Sequence, residues 1–372
     1  MPRIAAPADV ERMLEGKFAE AFAELGCFNL ALFGKTGAGK STLVNAVFGD
    51  DRAATGMGVP VTKGLVYHQH EDGFFGLYDS EGFETGTSGD AVLAGLRRIA
   101  DQQGERPIAE RIHAVWYVVR WSDRRFEASQ AAFVRALTEL GFPVIIVLTQ
   151  VPNHDGQPHP EAVEFAAYIE GLGLPIFAVI LTNALADPFT GSALYGLQEL
   201  LDITYQMAPE AARQALTAAQ VIDLGRKKKA AAGIVRQSAA AAAVIGATPI
   251  PFADAALLVP TQLSMIARIT AAYGLPTRAS RSIAVAGSIV LTGGATIAGR
   301  YAATNIMKFV PGGMVVGSAI SGTVAASLTK AIGAAWIEVC ERAVRLPSGQ
   351  RDDFLQPAVL AETFSALLKR GS

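Results

Sequence analysis

A strand that runs into a glycine-rich loop and then a lysine leaves a chain few folds to choose from. Phe28-Asn29-Leu30-Ala31-Leu32-Phe33 reads as a short buried strand. Gly34-Lys35-Thr36-Gly37-Ala38-Gly39-Lys40-Ser41 follows and fits G-x-x-x-x-G-K-[ST] at every fixed position, and residues 42–48 continue with helical spacing. Strand before and helix after is the context in which such a loop cradles phosphates. Glycines let the backbone curl so that its N–H groups face phosphate oxygens, and the start of the helix adds positive potential.

The rest of the N-terminal half repeats the pattern. Apolar runs at residues 65–70, 74–78, 113–119, 144–148 and 176–181 alternate with helical spacing at 40–48, 89–103, 127–140, 159–170 and 192–205. The alternation predicts an α/β domain with a mostly parallel sheet and helices on both faces. Residues 65–78 read instead as a hairpin turning at Glu71-Asp72-Gly73, and residues 8–25 as a leading amphipathic helix. The predicted domain spans residues 1–204.

Two further segments complete a nucleotide site. Asp79-Ser80-Glu81-Gly82 is D-x-x-G at a strand end, about 40 residues past the loop, a spacing at which the Asp approaches a Mg²⁺ ion and the Gly N–H meets a γ-phosphate. Thr62, in Gly58-Val59-Pro60-Val61-Thr62-Lys63, is either the hydroxyl that closes on the metal and γ-phosphate or an ordinary strand-edge threonine. Residues 34–42 (Gly34, Lys35, Thr36, Gly37, Ala38, Gly39, Lys40, Ser41 and Thr42) are expected to hold the phosphates. Ser41, Thr62 and Asp79 are expected to hold Mg²⁺, and Lys40, Thr62 and Gly82 to meet the reacting group.

Base recognition departs from the usual pattern. Where N/T-K-x-D is expected, the chain has Thr149-Gln150-Val151-Pro152, so the base-pairing carboxylate is missing; Asn153 or Asp155 could replace it only if the following loop folds back. Thr149 and Gln150, together with Asn183 in Leu181-Thr182-Asn183-Ala184, are the expected border of the base. Phe83 stands where many GTPases place the glutamine that orients the attacking water, which predicts slow hydrolysis. Lys35 is either a solvated loop lysine or, as in G proteins that pair across their nucleotide faces, a group for a homodimer.

Residues 34–49, Pro60-Val61-Thr62, Asp79-Ser80-Glu81-Gly82-Phe83-Glu84 and His113-Ala114-Val115-Trp116-Tyr117 together resemble an Era-like GTPase domain, especially the bacterial branch near the immunity-related GTPases. Ala247-Thr248-Pro249-Ile250-Pro251-Phe252-Ala253-Asp254, Tyr273-Gly274-Leu275 and Pro311-Gly312-Gly313 are similar to the C-terminal helical domain of YcjF-type proteins, which has no settled biochemical role. The resemblance implies a protein controlled by GTP and GDP with Mg²⁺, whose helical domain is linked to a membrane or to assembly.

Residues 205–372 change in character. Ala, Gly, Ser and Thr dominate, and helical spacing falls at 209–224, 227–247, 254–273, 279–300, 314–345 and 357–369, which predicts an all-α Ala/Gly-rich domain. The charge reverses too. Residues 1–204 carry 26 acids and 15 bases, a net of −11, and residues 205–372 carry 8 acids and 17 bases, a net of +9, against −2 for the whole. The acidic half argues against a nucleic-acid partner. The basic half, with Arg226-Lys227-Lys228-Lys229 ahead of uncharged runs at residues 282–299 and 309–329, leaves three readings open: a soluble helical bundle, an element peripheral to or inserted in an anionic membrane, or a multi-span protein, against which Asp254, Arg268, Arg300, Lys308 and Lys330 interrupt the apolar stretches. Cys27 and Cys340 are too few for a disulfide framework, and the apolar-poor start predicts a cytoplasmic chain, peripheral to or inserted in the inner membrane under the second reading. Three functions are compatible with these features: a slow GTPase switch, a nucleotide-regulated assembling scaffold, and a ribosome-assembly GTPase.

Overall fold

A computed structural model of the chain describes residues 7–49, 59–62, 65–80, 87–103, 105, 107–247, 254–287 and 322–370. These residues form two compact units, one spanning Gly26–Asp223 and the other joining the leading helix to the chain from Leu224 onward.

The first unit is built on a seven-stranded sheet. Its strands are β1 (Phe28–Phe33), β2 (Val59–Thr62), β3 (Leu65–Gln69), β4 (Phe75–Asp79), β5 (Ala114–Arg120), β6 (Val144–Thr149) and β7 (Ala178–Leu181), in the spatial order β2-β3-β4-β1-β5-β6-β7. Strands β4, β1, β5, β6 and β7 run parallel, and β2 and β3 add an antiparallel edge. The expected hairpin is β3–β4, with the Gly73 N–H closing its turn on the His70 carbonyl.

Helix α1 (Pro7–Leu25) precedes the sheet, and α2 (Lys40–Phe48), α3 (Thr87–Gln103), α4 (Ala128–Glu139), α5 (Pro160–Glu170), α6 (Leu197–Met207) and α7 (Glu210–Ala219) follow in order. Strand alternation sorts the last six onto two faces. Ala31, Phe33, Val115, Tyr117, Ile146 and Leu148 point into a core with α3, α4 and α5. The opposite face carries Phe28, Phe75 and Trp116. Phe48, at the end of α2, inserts among them, with ring centroids 4.4 Å from Phe75 and 5.8 Å from Trp116. The Trp116 Nε1–H donates to Thr204 Oγ1 at 3.1 Å and holds α6 to the same face. Helix α2, which opens at the phosphate loop, is thus anchored at its far end by aromatic packing.

Two boundaries differ from expectation. Residues 192–205 and 209–224 were expected as helices; α6 begins at Leu197 because Asn183 and Tyr195 pair backbone to backbone and hold the intervening segment as a loop. The expected division after residue 204 also shifts. Helix α7 packs against β1 and β4, so the first unit extends to Asp223, while α1 packs against α9 (Asp254–Tyr273) and leaves the first unit for the second. The charge reversal survives this shift: Gly26–Asp223 holds 23 acids and 13 bases, and the remainder of the chain 11 acids and 19 bases.

The second unit packs α1, α8 (Leu224–Ala247), α9, a helical stretch at 280–287, α10 (Gly322–Arg345), α11 (Ser348–Phe354) and α12 (Pro357–Arg370). Val10, Leu14, Phe18 and Ala21 form the buried stripe of α1. The short α11 lies between the helical spacings expected at 314–345 and 357–369, with Pro347 as its N-cap. Most of residues 282–299 and 309–329, the uncharged runs weighed as membrane spans, lie outside the described residues. Among the described residues one helix, α10, is long and apolar enough to cross a membrane; it packs on α8 and α9 and buries Thr329, Trp336 and Cys340.

The basic quartet is also not the open cationic face that its spacing suggests. Lys227 is fully buried and donates to the Tyr273 carbonyl at 2.9 Å, at the C-terminal end of α9 where a cation is favoured. Lys228 lies 3.4 Å from Glu341, whose other near neighbours are the Tyr273 hydroxyl and Arg345.

The contact between α8 and α10 is close. A Cβ added at Gly333 would lie 2.5 Å from Val235 Cγ2 and 3.1 Å from the Met265 sulfur. In an open helix, Gly→Ala gains about 1 kcal/mol. Here overpacking opposes it, so Gly333→Ala should lower the stability of this unit by about 1–3 kcal/mol. Urea unfolding followed by circular dichroism checks the sign, and an alanine variant more stable than the parent would refute the packing account.

Candidate functional site

The site lies where β1, β4, β5 and β6 end. Gly34 leaves β1 with φ +145°, and a Cβ there would sit 2.3 Å from the Val118 carbonyl oxygen of β5, so only glycine lets the chain pass. Gly37 (φ +77°) and Gly39 (φ +87°) make the curl, and Gly39 is the N-cap of α2. The Ala38 N–H donates to the Lys35 carbonyl at 3.2 Å. Thr36 and Gly37 are exposed at the rim, as are Ser41 and Thr42 in the first turn of the helix.

Lys40 folds back along this loop, with Nζ donating to the Gly34 carbonyl at 2.8 Å and to the Lys35 carbonyl at 3.3 Å. Burial pushes its pKa below the ordinary lysine value, and the Asp79 carboxylate opposes the shift. Asp79 ends β4 in register with Leu32 of β1, and the Ser80 hydroxyl donates to the Leu32 carbonyl at 3.1 Å, fixing the turn that leaves the strand. Asp79 thereby comes near enough for its charge to act on the Lys40 ammonium. Thr62 is the last residue of β2, on the antiparallel edge. Gly82 and Phe83 lie outside the described residues.

From the other side, β6 braces the loop. The buried Thr149 hydroxyl reaches the Ala38 carbonyl (2.5 Å) and the Val119 carbonyl (3.3 Å). Gln150 adopts φ +58°, unusual for a non-glycine residue, and its Nε2 donates to the Gly37 carbonyl at 3.3 Å. Both residues were expected at the base; the structure shows both touching the phosphate loop. Thr182 donates to the Leu148 carbonyl and accepts the Val151 N–H at its own, which seats the 182–184 segment beside β6. Asn183 is buried, with Nδ2 on the Ala193 carbonyl.

Neither candidate for the missing carboxylate folds back. The Asn153 amide donates to the same Ala193 carbonyl, and Asp155 stands exposed at the turn of a two-stranded ribbon, Asn153–His154 with Gln157–Pro158, beside His154. In the loop after β5, Asp123 pairs with Arg120, and Arg124 pairs with Glu161 and lies over the Trp121 ring. One partner had no signal in the sequence. Glu127 lies 92 residues after Lys35, and its Oε1 is 3.1 Å from Lys35 Nζ, so this half-exposed lysine also has an ion-pair partner within the chain.

The donor set suits a Mg²⁺–nucleoside triphosphate. A glycine curl that opens a helix suits phosphate oxygens, Lys40 adds an ammonium folded along it, and a hydroxyl at Ser41 and a carboxylate at Asp79 are the kind of hard oxygen ligands that Mg²⁺ takes. Among the described residues no cluster of three or more His, Cys, Asp or Glu could hold a metal by itself.

The comparisons with known proteins agree with this geometry. Residues 29–150 match the family model described as 50S ribosome-binding GTPase, and residues 210–359 match a domain of unknown function, DUF697. No protein of curated function matches the chain. Solved structures similar to it include a probable GTP-binding protein engB (17% identity, 50% of this chain and 99% of that one, TM-score 0.33). Two others are the G domain of the T. maritima FeoB iron transporter (21%, 49% and 98%, TM-score 0.31) and Toc33 from Arabidopsis thaliana in complex with Mg²⁺ and GMPPNP (18%, 56% and 94%, TM-score 0.32). Likenesses at such TM-scores say nothing of what this chain binds or does.

Thr149→Val keeps the shape of the side chain and strips both hydrogen bonds, leaving the Ala38 carbonyl without its buried donor. It should cost about 1–3 kcal/mol of stability and weaken nucleotide binding along with it. Unfolding curves and the Kd of a fluorescent GTP analogue, measured on one preparation, check this; an unchanged Kd would show that β6 does not brace the loop.

Proposed function

We propose that this chain, which joins a P-loop GTPase domain to a DUF697 helical domain, is a GTP-driven switch with slow intrinsic turnover, and that its nucleotide state controls how the helical domain engages a membrane or a protein partner. The observation that carries the nucleotide chemistry is the phosphate loop: glycines curled against β5, with Lys40 folded along it and the Asp79 charge acting on that lysine.

In this reading the N–H groups of residues 37–42 and the Lys40 ammonium bind the β- and γ-phosphate oxygens, and Ser41, Thr62 and Asp79 would hold Mg²⁺. Mg²⁺, when bound, supplies neutralisation of charge shared between the β- and γ-phosphates. The Gly82 N–H meets the γ-phosphate, and Thr149, Gln150 and Asn183 border the nucleotide on the β6–β7 side. Water attacks the γ-phosphorus, the bond to the bridging oxygen breaks, and GDP and phosphate leave. Phe83 cannot accept a hydrogen bond from that water, which supports slow turnover.

Control of the helical domain is supported by connectivity. The chain enters the sheet unit directly from α1 and leaves it directly into α8, and both helices belong to the other unit. An anionic surface is supported by the 19 bases against 11 acids outside Gly26–Asp223, although Lys227 is not among the bases that could reach one. A cytoplasmic place, peripheral to or inserted in the inner membrane, belongs to the same proposal, as does a homodimer across the nucleotide face.

Ligands that bind only the folded state raise its melting temperature. With Mg²⁺, GTP and GDP should stabilise the protein while ATP and ADP do so weakly, and Lys40→Ala should abolish the shift; a larger shift with ATP, or binding undiminished in Lys40→Ala, would sink the nucleotide assignment. For the membrane, co-sedimentation should show more protein on vesicles of mixed phosphatidylcholine and phosphatidylserine than on phosphatidylcholine alone, with a difference between GTP-analogue and GDP states. No pelleting on the anionic vesicles leaves a protein partner as the target.

A further inference from the structure

The phosphate loop carries two lysines, and the chain treats them differently. Lys40 is committed to the loop's own carbonyls. Lys35 is not: its Nζ reaches away to Glu127, at 3.1 Å, while its backbone carbonyl accepts from both Lys40 Nζ and the Ala38 N–H. The Lys35 backbone is therefore fixed within the loop and its charged end held by a carboxylate from outside it. Both side chains are about two-fifths exposed, so burial locks neither of them.

Glu127 is independently anchored. It is the N-cap of α4, its side chain accepts the Gln130 backbone N–H, and the Gln130 side chain accepts the Glu127 N–H at 2.9 Å. The carboxylate therefore stands beside the loop wherever Lys35 goes. A carboxylate in that place does two things to a polyphosphate: it competes for one of the loop's two ammonium groups, and it adds a negative charge near the site. Both act against the more highly charged ligand.

We infer that Glu127 is a positioning residue that holds Lys35 off the nucleotide, so that phosphate oxygens engage Lys35 only by displacing it from the α4 cap. This rests on the GTPase reading above. It makes Glu127 a determinant of how strongly the loop prefers a triphosphate to a diphosphate, in exchange between two anionic partners for one cation.

The test is a mutant cycle read by nucleotide affinity. Glu127→Gln keeps an oxygen for the α4 cap and removes the charge; Glu127→Asp keeps a good cap and withdraws the carboxylate from Lys35. An exposed ion pair contributes up to about 1 kcal/mol, so freeing Lys35 should tighten binding of a non-hydrolysable GTP analogue by about two- to fivefold. GDP should tighten less, and the gain should shrink as salt rises. In a Lys35→Gln background the Glu127→Gln gain should fall to the part owed to charge repulsion alone. Unchanged analogue affinity in both Glu127 variants, or a gain of the same size without Lys35, would overturn the inference. Parent protein that binds neither nucleotide would overturn the GTPase reading itself, whereas binding with an unmoved ratio overturns only the role of Glu127.

Discussion

The approach of Gly34 to β5 is the constraint on which the nucleotide site depends. At this crossing the chain runs so near the Val118 carbonyl that a single methyl group would lie 2.3 Å from its oxygen. That closeness lets the loop curl over the sheet edge, lets Lys40 fold back onto the Gly34 carbonyl, and lets the Thr149 hydroxyl of the next strand reach the loop from behind. The hydrophobic sheet below, closed on one face by the Phe48, Phe75 and Trp116 cluster, keeps three strand ends in place at once. Phosphate recognition here is a property of backbone geometry that the core enforces.

Local pattern made most of the sheet unit legible. Strand β1 and helix α2 fall on the residues that periodicity indicates, as does α9 in the helical unit, because a buried strand and an amphipathic helix each write their own period into the chain. What could not be read was long-range. Glu127 meets Lys35 across 92 residues, and nothing in the spacing around either marks the pair. Gln150 reads as a base contact by position, yet its left-handed backbone and its bond to Gly37 follow from how β6 ends beside the loop. The Arg226-Lys227-Lys228-Lys229 run reads as a cationic face; its helical phase turns Lys227 into the core, where the end of α9 accepts it.

The division of the chain was also a tertiary matter. A change in composition after residue 205 is visible in the sequence, but composition does not reveal that α7 packs on the sheet or that α1 packs on α9. The DUF697 match begins at residue 210, inside the first unit, and does not include α1. The cores of both units, rather than the family limits, define the folding bodies.

That arrangement makes the helical unit discontinuous, and synthesis must respect it. Helix α1 leaves the ribosome with Val10, Leu14 and Phe18 on one face, but α9, which covers them, follows only after the entire sheet unit has been made. At about 5–20 residues per second, an intervening stretch of roughly 230 residues takes on the order of 10–45 s. For that interval the apolar stripe of α1 has no native partner. The nascent chain thus carries an uncovered amphipathic helix while the nucleotide-binding unit folds behind it, and α9, made only after that unit, supplies the cover that α1 lacks until then.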